Sequence, residues 1–181
     1  MGSVQLMNRI IPDALTSAPQ PAEFRRVLGQ YPTGVTVITA QTAAGVRAGV
    51  TVSSFNTLSL DPPLILWSLA LSAPSLEVFR HTERFAVNIL GEDQGDVALQ
   101  FARRAEDKFA GVETVPGWSG VPLIAGAVAH LECTVYRRDP GGDHEIYIGR
   151  VERAEAIDRT PLVYMRGAFG KFSGMVANEK K

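Results

Sequence analysis

Apolar positions along this chain change their period several times, and each change marks an element. Phe24, Val27 and Leu28 stand at helical spacing ahead of Gly29, which predicts a short helix stopped by that glycine. From Val35 to Thr39 every residue is β-branched, and residues 45–52 return to that character after a turn-rich gap, the mark of a hairpin. Leu64 to Leu71 is nearly continuous apolar chain, which predicts a central strand buried on both faces. Residues 74–80 read as a short helix because proline suits a first helical turn, and residues 85–90 return to strand. Within 94–104, Val97, Ala98 and Phe101 keep helical spacing, with arginines at the end that suits cations. The glycine- and proline-rich stretch 111–122 reads as a loop, and residues 128–137, 145–156 and 162–165 are further strands.

Six or seven strands against two or three helices, with no regular βα alternation, point to a mainly β fold with peripheral α. The expected form is an antiparallel barrel, closed or nearly closed. Residues 1–21 carry three prolines and no sustained period, and read as a flexible N-terminal arm. The domain is then expected on residues 22–175, with a tail on 176–181.

Composition narrows the function. The chain has 181 residues, 45% hydrophobic and 20% charged, enough apolar material for one domain with a sizeable core and against disorder. Eighteen Lys and Arg against 19 Asp and Glu leave a net charge of −1, so no bulk positive field exists for nucleic acid or an anionic membrane. No long apolar run and no leader-like N-terminus stand out, which together with the single cysteine, Cys133, points to the cytoplasm. His81, His130 and His144 lie far apart, so no metal site is expected. The glycine fingerprints of dinucleotide and nucleotide folds, the nucleophile elbow and the zincin motif are all missing.

What the chain offers is hydroxyls, glycine backbone and one histidine at strand ends. These lie in Tyr31-Pro-Thr-Gly-Val-Thr36, Thr51-Val-Ser-Ser54, Ser72-Ala-Pro-Ser75 and Gly141-Gly-Asp-His144. A flavin asks for that inventory: main-chain partners for its ring edge, hydroxyls for its ribityl chain and a helix start for its phosphate. Each segment also has a plainer reading. Ser72 and Ser75 suit a capped helix start, Thr51, Ser53 and Ser54 suit strand ends, and His144 suits an exposed turn. Lys108 in Asp107-Lys-Phe109 suits a solvated charge pair.

In this order, with Phe85-Ala-Val-Asn-Ile-Leu90, Phe101-Ala-Arg103 and Asp107-Lys-Phe-Ala-Gly111 between them, the segments resemble the short-chain flavin reductase family. These are the reductase components of two-component flavin-dependent monooxygenases, and the chain is especially similar to members serving antibiotic biosynthesis. The resemblance implies an FMN-binding split β-barrel, Greek-key-like, assembled as a homodimer. It implies NADH-dependent reduction of FAD or FMN by hydride transfer, with free reduced flavin passed to a separate monooxygenase in secondary metabolism. NADPH is less favoured, because no arginine pair for a 2′-phosphate is evident. Residue by residue, Thr33, Gly34 and Val35 would lie along the flavin, with Thr51, Val52, Ser53 and Ser54 at its ring edge and ribityl chain. Ser72 and Ser75 would meet its phosphate, Lys108 would join the cofactor-binding set, and His144, the catalytic candidate, would lie at the nicotinamide. From another class stands a non-catalytic flavin- or haem-binding split barrel.

Overall fold

The structure, a computed structural model, describes residues 18–174. The expected arm lies outside the described residues as far as residue 17, and the expected tail on 176–181 lies outside them entirely. The chain divides into two compact units, Met1–Tyr31 and Pro32–Lys181. Of the first, the described element is α1 (Pro21–Leu28), which opens on a proline in its first turn and closes at Gly29, whose N–H bonds back to the Arg25 carbonyl. Its apolar residues Phe24, Val27 and Leu28 are all exposed.

The second unit is built on strands. A minor sheet joins β1 (Thr33–Gly34) to two later strands, and the main sheet begins with the hairpin of β2 (Thr36–Gln41) and β3 (Arg47–Val52), as the β-branched runs predict. A second hairpin, β4 (Asn56–Leu60) and β5 (Pro63–Ala70), is followed by helix α2 (Leu76–Arg80) and β6 (Arg84–Ile89). Helix α3 (Gly95–Ala102) comes next, with β7 (Thr114–Pro116) paired to β8 (Pro122–Ile124). The long hairpin of β9 (Ala129–Gly141) and β10 (His144–Ala156) turns through Gly142, whose φ of +72° suits the first position of a two-residue turn. Last come β11 (Leu162–Met165) and β12 (Ala168–Lys171), which complete the minor sheet β1-β11-β12.

The seven strands of the main sheet run in the order β3-β2-β6-β9-β10-β5-β4, every neighbouring pair antiparallel. Ala48 and Val52 of β3 share one buried cluster with Ile65, Trp67 and Leu69 of β5, so the sheet curls until those two strands face each other across the core. No ladder joins them. The result is a barrel with an open seam between β3 and β5. Inside, Trp67 stacks on Tyr147 at 4.5 Å and meets Phe79 and Phe85 edge-on at 5.1 and 5.7 Å. Outside, α3 seats Phe101 in a second cluster with Val37, Leu90 and Ile124.

The structure corrects three expectations. The run Leu64–Leu71 is neither central nor buried on both faces: β5 is next to last in its sheet, and Ile65, Trp67 and Leu69 are buried while Leu64, Leu66, Ser68 and Ala70 are half-buried. The long strands buried on both faces are β2 and, from Phe85 to Asn88, β6; for β2 the barrel interior covers one side and α3 with Ile124 the other. The expected loop at 111–122 carries β7 and the start of β8, too short to leave a period. The described residues hold twelve strands rather than six or seven, since β1, β4, β7, β8 and β12 have at most five residues each.

Candidate active site

The open seam leaves β3 as an edge strand, paired on one side only. Alternate N–H and C=O groups along such a strand point away from its neighbour with no ladder to receive them. In front of that edge lies a cleft of about 270 Å³ lined by residues 50–54 of β3 and its turn, Ser68 to Ala70 of β5, Ala73 and His144. It therefore gathers Thr51, Val52, Ser53, Ser54 and His144 from the expected site. A larger hollow, about 510 Å³, opens near Gln41, His81 and Arg84, but the strands beside it are interior ones and present no bare edge.

Two hydroxyls in the cleft already have internal partners. Ser54 Oγ accepts the Ser68 N–H at 3.0 Å and donates to the Ser68 carbonyl at 3.3 Å, the one direct tie across the seam among the described hydrogen bonds. Thr51 Oγ1 donates to the Ala98 carbonyl of α3 at 2.7 Å. Ser53 is exposed and its hydroxyl makes no hydrogen bond among the described residues. His144 is the first residue of β10, opposite Ala70 of β5. Its Nδ1 lies 2.7 Å from Asp143 Oδ1, and a carboxylate only accepts, so Nδ1 carries the hydrogen and Nε2 is left for a ligand.

A second cleft, about 330 Å³, continues along β3 past the turn at residues 73–75. Ser75 and Lys108 line it, together with Arg47 and Phe109. Ser75 stands at the N-cap of α2 but makes no capping hydrogen bond, so its hydroxyl is free. Lys108 Nζ donates to the Phe101 and Gly49 carbonyls at 2.8 and 3.3 Å, and burial lowers its pKa from the usual lysine range. Glycine is required at Gly49, where a Cβ would collide with the Phe101 ring. Ser72 is exposed on the turn between the clefts and lines neither.

Thr33, Gly34 and Val35 stand apart from both clefts. Thr33 and Gly34 pair with Tyr164 and Val163, and Val35 packs its side chain in the core beside Leu90. The Thr33 hydroxyl is buried with no partner, a group that a ligand or water would satisfy. Sequence reasoning missed Arg47, Ser68 and Phe109. Its available signals were a lone serine inside an apolar run and a lone arginine on a β-branched hairpin. Among the described residues no group of three or more His, Cys, Asp or Glu can hold a metal ion, and no helix is long and apolar enough to cross a membrane.

A flavin fits these residues: a bare strand edge for its ring, the free hydroxyls of Ser53 and Ser75, and cations beyond. Comparison with known proteins bears directly on that fit. The family model described as flavin reductase like domain matches residues 28–173. The chain is 43% identical over 147 residues to the actinorhodin polyketide dimerase of Streptomyces coelicolor, covering 81% of this chain and 83% of that one. It is 40% identical over 152 residues to the reductase subunit HsaB of a flavin-dependent monooxygenase of Mycobacterium tuberculosis, covering 82% and 81%. Among solved structures, the NADH:FAD oxidoreductase of Streptomyces globisporus C-1027, in complex with NAD and FAD fragments, superimposes with a TM-score of 0.82 at 37% identity, covering 89% of this chain and 99% of that one.

Proposed function

This chain belongs to the flavin reductase family, and on that premise we propose that it takes hydride from NADH, reduces FAD or FMN, and releases the reduced flavin to a separate flavin-dependent monooxygenase. The observation that carries the reading is the seam: an unpaired strand edge facing a cleft that also holds Ser53 and His144. When bound, a flavin supplies the chemistry, accepting hydride at N5 from nicotinamide C4.

The residues of the chain hold and orient. Outward backbone groups of β3 bond the polar edge of the ring, and Ser53 meets the ribityl chain. Thr51 and Ser54 keep that edge in place by their bonds to α3 and β5. Ser75 and Lys108 meet the phosphate, with Ser72 on the turn beside them. His144, locked by Asp143, offers Nε2 to a carboxamide N–H and so fixes the nicotinamide face. Hydride transfer asks no proton of it. Thr33, Gly34 and Val35 then act from the side of β1, where the buried Thr33 hydroxyl has no protein partner.

Further points belong to the same reading. The barrel is a homodimer, because Leu58, Leu60, Leu71 and Tyr136 are exposed at 47%, 95%, 47% and 57% beside the half-buried row Leu64 and Leu66. The domain runs over residues 22–175, the monooxygenase serves secondary metabolism, and the protein works in the cytoplasm, where NADH is at hand. Anaerobic mixing with NADH and flavin, followed by ultrafiltration, tests the supply of flavin: reduced flavin should pass into the protein-free filtrate. Flavin that stays oxidised, or is reduced but wholly retained, would contradict it.

A further inference from the structure

The second cleft differs from the first in its chemistry. Around Thr51 to Ser54 the walls are neutral, whereas the second cleft brings two cations together, Arg47 from the start of β3 and Lys108 from the loop after α3. The Arg47 guanidinium lies 4.5 Å from the centre of the Phe109 ring and makes no hydrogen bond or ion pair among the described residues. Lys108 spends two N–H groups on carbonyls and keeps one. Two acids, Glu106 and Asp107, line the cleft as well, but neither forms an ion pair with Arg47 or Lys108 among the described residues: Asp107 Oδ1 accepts the Phe109 N–H at 2.8 Å, and Glu106 is exposed. A cleft with a free guanidinium fork, a lysine and a serine hydroxyl suits bridged phosphates, since the planar fork binds phosphate oxygens in pairs.

Position says which phosphates. The two clefts share β3 and the turn at 73–75, so a ligand whose ring lies at Thr51–Ser54 reaches Ser75 with its first phosphate. FMN ends there. The cleft that Ser75 lines has about 330 Å³ in all, more than one phosphate group fills, and Arg47 and Phe109 also wall it. We propose that this cleft takes the ADP half of FAD, with Arg47 as ligand of the diphosphate, so that the chain selects FAD over FMN. The inference rests on the flavin-site reading above and adds to it a residue and a choice of substrate.

Calorimetric titration of the full chain with FAD, FMN and ADP, each alone, tests it in wild type and in Arg47→Ala and Arg47→Lys. Wild type should bind FAD at least about tenfold more tightly than FMN and should bind ADP by itself. In Arg47→Ala the ratio of FAD to FMN affinity should fall by at least about fivefold and ADP binding should vanish, with lysine restoring only part because it lacks the fork. Arg47 is exposed and makes no hydrogen bond, so the variants should fold as wild type does. Flavins bound with equal affinity, an unchanged ratio in Arg47→Ala, or no ADP binding in wild type would overturn the ADP assignment while leaving the flavin site standing. Failure to bind either flavin would overturn both.

Discussion

Arg80 at the end of α2 is paired with Glu145 near the start of β10, Nε and Nη2 of the arginine both donating to Glu145 Oε2, at 3.0 and 2.8 Å. The pair ties α2, whose N-cap is Ser75, to the start of β10, whose first residue is His144. Burial is the largest influence and works against the charge on Glu145, but hydrogen bonds to Arg80 and Tyr147 and the positive charges of Arg80 and Arg138 together outweigh it and hold the carboxyl below the usual range. Burial and this carboxylate together push the neighbouring Tyr147 hydroxyl upward. The proposed phosphate and nicotinamide ends of the site thus share one ion pair.

Glu145→Gln keeps the shape and removes the charge, so it should lower stability near neutral pH, modestly because water screens the exposed Arg80 partner. The sign with pH follows from the depressed folded pKa. That stability is present above the unfolded value, near 4.5, and is lost as pH falls through the folded one. The gap in Tm between wild type and variant, measured by thermal melts across pH, should therefore be widest near neutrality and close below that value. A gap independent of pH would show that the charge does nothing for the fold.

Ser54→Ala removes the only direct hydrogen-bonded tie described across the seam and leaves the Ser68 N–H without its partner. It should lower stability by about 1–2 kcal/mol and weaken flavin binding through a displaced β3 edge. Chemical denaturation and flavin titration read the two effects. Lost stability with flavin affinity intact would separate the seam from the site.

Ser75→Ala should behave differently. Its hydroxyl caps nothing, so the melt should stay within about 0.5 kcal/mol of wild type. Flavin affinity should drop by about tenfold, and Ser72→Ala by less, because Ser72 lies on the turn outside both clefts. Unchanged flavin affinity in both variants would make the segment a helix start and nothing more.

How much of this was legible in sequence follows from the range of each interaction. The β2–β3 hairpin is local, and its β-branched residues announce it. By contrast, an apolar run such as Leu64–Leu71 has no period to tell one buried face from two. Only Ser68, sitting on the half-buried row, hints at the answer. The seam is a failure of β3 to meet β5, two strands close in sequence but separated in the sheet by β2, β6, β9 and β10, so how they meet depends on the curl of the whole sheet and no local pattern encodes it. Thr51, Ser53 and Ser54 look alike as hydroxyls. Their fates diverge because α3 and β5 supply partners for the first and last, while Ser53 is left facing solvent. Arg47 reads as an ordinary exposed charge until the loop carrying Lys108 is brought beside it.

His144→Ala should damage the use of NADH more than the binding of flavin, since the imidazole orients one ligand and its Nδ1 is occupied by Asp143. The expected pattern is a raised KM for NADH and a slower reduction step, with flavin affinity within about threefold of wild type. Stopped-flow reduction at saturating flavin reads both. Collapse of flavin binding with normal NADH kinetics would move His144 to the flavin side of the cleft.

The central claim is that the seam between β3 and β5 brings a flavin and a nicotinamide together for turnover. Its most direct test is to add NADH to the purified chain in air with FAD or FMN and follow nicotinamide absorbance. The account predicts many equivalents of NADH consumed per chain, at a rate that depends on added flavin. Flavin that binds while nicotinamide absorbance holds steady would contradict it and leave a barrel that only carries its ligand.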